Sequence, residues 1–160
     1  MYKIGDKIAY PMHGAGIIES IEEKKIMGCN KQYFVMLVPF GEMKIMIPCE
    51  SCEKIGIRSI MSRNDMEQIF DILSQDSTEM DGNWNRRNRE NMEKLKTGDL
   101  MNVAEVVRNL MRADNVKKLS MGEKKMLANA KQILVSEIIL VQEWDTDTAV
   151  MTVEQYVMGK

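Results

Sequence analysis

The sequence predicts an α+β protein: an N-terminal β-barrel module of the SH3 or Tudor kind, then a C-terminal all-α helical bundle. Two observations predict it. Apolar residues recur with the two-residue period of strands up to about residue 55, and with the helical period beyond about residue 62. Turn residues crowd the first part, whereas helix-capping pairs punctuate the second. The boundary is set at residue 58, giving a β domain over 1–58 and a helical domain over 59–160.

The β elements come first. KIAY, GIIESIE, QYFVMLV and MKIMI are short runs rich in β-branched, aromatic and other apolar residues. Pro11 with Gly14 and Gly16, Gly28 with Asn30, and Pro39 with Gly41 separate them. Gly14 and Gly16 suit a sharp turn or a positive φ. HGAG opens no helix, so it is not a phosphate-binding loop. A module of about 60 residues buries only a thin core.

The helical elements follow. Ser62 with Asp65 resembles a capping box, and Met66, Ile69, Phe70 and Leu73 repeat on one face behind it. A linker, SQDSTEMDGN, leads to a helix from about Asn83 to Lys96, which TGD ends. Asp99 caps a third helix with Leu100, Val103, Val106, Val107, Leu110 and Met111 inward. Ser120 with Glu123 is a full capping box. It starts the longest helix, with Leu127, Ala130, Ile133, Leu134, Ile138 and Val141 on its inner face. A short amphipathic piece near Val150, Val153 and Val157 closes the chain. The 16 methionines read as adaptable core filling.

Composition sets bounds on function. The chain has 160 residues, 44% hydrophobic and 29% charged, with three prolines, so it folds. No apolar run reaches the ~18 residues of a membrane span, and MYKIGDKIAY lacks the apolar core of a signal peptide. A cytoplasmic location is expected. Net charge is -2, but it is unevenly spread. Residues 83–131 carry 12 basic and 6 acidic side chains, between acidic stretches at 61–82 and 132–160. Charge alone fits a nucleic-acid surface and a set of solvated helix faces equally well.

Catalysis is not expected. His13 is the one histidine, and no nucleophile-base arrangement or glycine-rich helix start accompanies it. Cys49 and Cys52 have zinc-ligand spacing, and Cys29 and His13 could complete a set. A zinc site of this kind usually shows two close ligand pairs, and only one is present. Two ordinary thiols and no metal are the reading.

The sharper feature is NWNRRNREN at 83–91, in which Trp84 is the one apolar residue. Arg86, Arg87 and Arg89 follow it, and only Met92 and Leu95 give that helix an inward face. Arginines bind phosphates, and an aromatic beside them stacks on a base or wedges between base pairs. The same tryptophan could instead staple a helix start onto the bundle core. The residues leave both readings open. Lys117, Lys118, Lys124 and Lys125 form a second basic cluster around the Ser120 cap. No base-reading motif appears.

Several long motifs occur together in order: KIGDKIAYPMHGAG, IMIP and GIR, then NWNRRNREN, EKLKTGDL, VAEVVRNL and LSMGEKKMLANAKQIL. By these the chain resembles the CarD family of bacterial transcription regulators, including CdnL-like proteins, over nearly its whole length. The similarity is weakest beyond Glu143. The resemblance implies a Tudor-like module that binds the β subunit of RNA polymerase, and a helical domain that binds promoter DNA without base readout. The contact lies at the upstream edge of the melted bubble, in the minor groove, and stabilises the open complex. Trp84 falls on the family's wedging tryptophan. Arg86, Arg87, Arg89, Lys124 and Lys125 fall on expected DNA-backbone positions. The strand of Lys44, Ile45, Met46 and Ile47 falls on the polymerase-facing edge, with Lys24 on a further contact position. Met46 stands where some relatives carry arginine. The cysteines match no family ligand set. No cofactor is expected, and the chain is expected to be a monomer. Two rival readings remain: a DNA-binding protein that ignores polymerase, and a protein-interaction adaptor without DNA contact.

Overall fold

Strands β2 (Gly14–Ile26) and β3 (Cys29–Val38) are joined by Met27 and Gly28, both at positive φ (51° and 81°). That is the geometry of a tight two-residue hairpin turn, and it fixes the register from Ile26↔Cys29 to Ile17↔Leu37. A bulge between Ile18 and Ser20 shifts the alternation partway along β2. The inner half of the hairpin carries Ile18, Phe34, Met36 and Val38 into the core. The outer half, around Glu22 to Lys31, is solvent-exposed. The computed structural model describes residues 1–159.

Three further strands complete the module. β1 (Lys7–Tyr10) pairs with β2, β4 (Met43–Pro48) with β3, and β5 (Arg58–Ser59) with β1, all antiparallel. The order is β4-β3-β2-β1-β5. The expected α+β organisation is present, and the module is barrel-like but not closed by hydrogen bonds. Its two edge strands are β4 and β5, and β5 is only two residues long. A 3-10 turn (Cys49–Ser51) and the short helix α1 (Cys52–Ile55) fill the route from β4 to β5. Neither short helix was foreseen. Gly14 adopts the positive φ expected of it (108°). Gly16 is needed for closeness instead, since a Cβ there would sit 2.5 Å from the Leu37 carbonyl oxygen.

The bundle has five longer helices: α2 (Arg63–Ser74), α3 (Trp84–Lys96), α4 (Leu100–Val116), α5 (Met121–Gln142) and α6 (Thr146–Met158). Each begins with a side chain that accepts a backbone N–H: Ser62, Asn83, Asp99, Ser120 and Asp145. Such caps stabilise a helix by about 0.5–2 kcal/mol each. The inward residues expected on α2 are buried, as are those on α4 other than the half-buried Met111.

Helix α5 departs from the expected one-sided pattern. From Ile133 to Ile138 every residue is buried. The bundle covers one side and the β module covers the other. The Ala15 N–H donates to Ser136 Oγ at 2.9 Å, and Ala9, Ala15 and Leu140 form a small apolar cluster across the seam. Gln132 Nε2 donates to the Phe40 carbonyl. The Arg58 guanidinium meets both Glu137 oxygens at 2.8 Å, and the Met61 N–H adds a third bond to Glu137 at 3.0 Å. Burial pulls the Arg58 pKa down, but its bond to Glu137 and the surrounding carboxylates outweigh that and raise it. Among the described residues no helix is long and apolar enough to cross a membrane.

Candidate nucleic-acid interface

The linker before α3 sets up the site. Asp81 Oδ1 accepts the Asn83 N–H at 2.8 Å, and Asn83 Oδ1 accepts the Arg86 N–H at 3.1 Å. These bonds start the helix so that Trp84 occupies its first turn. Trp84 remains 45% exposed and lies outside the apolar clusters of the bundle. Its Nε1 donates to Ser120 Oγ at 3.4 Å, and a Cβ on Gly122 would sit 3.6 Å from its ring. The indole is therefore supported on one side by the first turn of α5. Ser120 Oγ also accepts the Glu123 N–H and donates to Glu123 Oε1, so its hydrogen-bonding capacity is filled.

The basic residues divide into two kinds. Arg87 is largely covered, with 23% of its side chain exposed; its Nε donates to Glu123 Oε2 at 2.8 Å and its Nη1 to the Asp81 carbonyl at 3.3 Å. Arg86 is solvent-facing and meets Asp81 Oδ2 at 3.4 Å. Arg89, Lys124 and Lys125 are exposed and make no ion pair among the described residues. Arg89 is three residues beyond Arg86 and shares its helix face. The two N-terminal turns, of α3 and α5, are thus tied together by Trp84 to Ser120 and Arg87 to Glu123. The roles of Ser120 as a seat and Glu123 as an anchor were missed in the sequence. Their capping box was visible, but nothing in it marks a partner 36 residues away.

A groove of about 780 Å³ lies beside this junction, under the linker and between the ends of α4 and α5. Much of its polar lining is already satisfied. Asn109 Nδ2 donates to Thr78 Oγ1 at 2.7 Å, and Arg112 is engaged by the Gln75 carbonyl, Ser77 and other chain-end groups. The groove runs between the linker and the bundle.

The second set of residues lies on the β module. β4 forms one edge of the sheet. Lys44 is exposed and meets Glu19 at 3.3 Å, Ile45 and Met46 are half-buried, and Ile47 is fully buried. Ile47 therefore offers the edge its backbone only. Lys24 sits on the exposed hairpin arm opposite Lys31, beyond the part of β3 that β4 covers. The cysteines do not converge with His13. His13 packs edge-on against Tyr10, and among the described residues no three metal-ligating side chains come together. Burial pushes the Cys49 thiol up, and burial with the neighbouring Cys49 pushes Cys52 up. Both thiols are held away from the reactive thiolate form.

Comparison with known proteins agrees with this two-part organisation. The family model described as CarD-like/TRCF RID domain matches residues 2–61, and the model for CarD, C-terminal domain, matches residues 68–154. The chain is 40% identical over 142 residues to a Bacillus subtilis (strain 168) protein named "Putative transcription factor YdeB". That alignment covers 89% of this chain and 93% of the relative. With both halves matched in order, and a relative of such identity aligned along nearly its full length, the chain belongs to the CarD family of transcription factors.

Proposed function

We propose that this protein binds the β subunit of RNA polymerase through its β module and contacts promoter DNA, without base readout, at the upstream edge of the melted bubble. The contact stabilises the open complex. One observation carries the reading: a tryptophan half open to solvent is seated against the start of α5, where exposed Lys124 and Lys125 lie in the first turns, while its own helix start carries exposed Arg86 and Arg89. An aromatic in that setting suits a minor-groove wedge. Unstacking a base step costs a few kcal/mol, and least where strands already separate. Each ~1.4 kcal/mol of preference for the open state shifts its population tenfold.

The β4 edge supports the polymerase half of the reading. An uncovered edge strand can accept a strand of a partner by backbone pairing. Attachment to polymerase raises the local DNA concentration, so intrinsic DNA affinity can be low. In this reading the protein acts in the cytoplasm as a monomer, with no catalytic role and no cofactor.

The test is the lifetime of promoter open complexes on cognate polymerase under a DNA competitor. Wild type should lengthen it, and Trp84→Ala should lose most of the gain while still binding polymerase. No lengthening by wild type, with polymerase binding verified, would leave the adaptor reading. Lengthening that survives without the β module's contact would leave the polymerase-independent one.

A further inference from the structure

Helix α3 begins against its own electrostatics. Arg86, Arg87 and Arg89 crowd its first two turns, and its first turn holds no acidic residue. Cations are disfavoured at the positive end of a helix dipole. The compensation comes from outside the helix. Glu123, 4% exposed, pairs with Arg87 from α5, and Asp81 pairs with Arg86 from the linker. The first pair is largely covered and 2.8 Å long. The second is open, 3.4 Å long, with the Arg86 side chain 61% exposed.

We propose that Asp81 is a built-in competitor for phosphate at Arg86, holding down the site's affinity for free DNA so that engagement depends on delivery by polymerase. The inference rests on the DNA reading above. A phosphate reaching Arg86 meets a guanidinium whose charge the Asp81 carboxylate already partly offsets, and that carboxylate stays beside the DNA as a like charge. Asp81 is suited to this because its other oxygen is fixed by the Asn83 N–H, so the carboxylate cannot swing clear without loosening the start of α3. Arg89, Lys124 and Lys125 carry no such competitor among the described residues.

The experiment measures binding of the full chain to a labelled duplex without polymerase, across a salt series. Asp81→Asn keeps an oxygen for the Asn83 N–H and removes the charge. Glu79→Gln is the control: the same charge change in the same linker, at an exposed residue with no ion pair among the described residues. Asp81→Asn is expected to bind about twofold to fivefold tighter at low salt, the scale of one exposed ion pair. Its log-log salt slope should steepen by up to about 0.9, one added phosphate contact. Glu79→Gln should do markedly less. Bulk duplex should also titrate away the open-complex effect more readily for Asp81→Asn than for wild type. Equal effects of the two substitutions, or none from Asp81→Asn, overturn the proposal. If Trp84→Ala still shortens open-complex lifetime in that case, the DNA reading stands and only the competitor falls. If neither wild type nor Asp81→Asn binds duplex at low salt, the competitor falls, and the DNA reading falls with it only if Trp84→Ala also leaves the open-complex lifetime unchanged.

Discussion

Trp84 and Arg87 are three residues apart and illustrate opposite uses of an α3 side chain. Trp84 is seated but open, so its truncation removes little packing. Trp84→Ala is expected to cost well below the about 3–5 kcal/mol of a core tryptophan truncation, read by chemical denaturation. Arg87 is anchored by a covered carboxylate. Glu123→Ala leaves that guanidinium without its charged partner and should cost about 1.5–3 kcal/mol. The exposure of Trp84 was only half legible: a run with one apolar residue fits an open tryptophan and one stapled onto the core alike, and the fold leaves it 45% exposed. The covering of Arg87 was not legible. Arg86, Arg87 and Arg89 look alike in sequence, and only the fold brings Glu123 to one of them.

At the scale of elements, helix ends account for much of the bundle's order. Arg112 on α4 donates to the Leu73 and Gln75 carbonyls at the end of α2 and to the Val157 carbonyl near the end of α6. Arg108, 1% exposed, donates to the Ile72 carbonyl and has one amino group without a partner, and its burial lowers its pKa. Helix C-termini attract cations, so these two arginines of α4 hold the ends of two helices, α2 and α6. Arg112→Ala should destabilise the bundle by about 2–3 kcal/mol, since several carbonyls lose a charged donor at once. On the β module, Lys24 stands opposite Lys31 on the exposed hairpin arm, whereas Lys44 is paired with Glu19. Lys24→Glu places opposite charges across the hairpin, which favours the fold. It should nonetheless weaken binding to the polymerase β subunit, and more than Lys44→Glu does, in a salt-dependent pull-down or titration. Equal binding by Lys24→Glu and wild type would remove Lys24 from the polymerase surface. The long helices were legible because capping residues and the helical period coincide. The turn at 49–51, α1 and β5 were not, since runs of two to four residues are too short to carry a period.

The whole molecule adds something neither half contains. The switch of period near residues 55–62 marked two units, but not how they meet. The single inner face expected of α5 leaves out Ser136 and Glu137, and polar residues on a helix ordinarily mark its solvent face. Here that face is covered by the β module, and the polar groups serve the seam: Ser136 to the Ala15 backbone, Glu137 to Arg58 and Met61. Glu137 is 1% exposed, so its charge has few partners beyond these. If the protein acts as proposed, the wedge needs the β module and Trp84 in a fixed relation, and this seam is the contact that joins the two halves. Glu137→Ala leaves Arg58 only the Gly98 and Ser59 carbonyls and removes the Met61 bond, a loss of about 2–3 kcal/mol because Arg58 is partly solvated. The expected outcome is a split melting transition with nearly unchanged affinity for polymerase and for free duplex, measured separately. The open-complex lifetime should fall towards the value without protein, because both contacts persist while their spacing is lost. A variant that melts in two steps yet still lengthens the open complex fully would mean that the linker between the domains, and not the seam, positions the wedge.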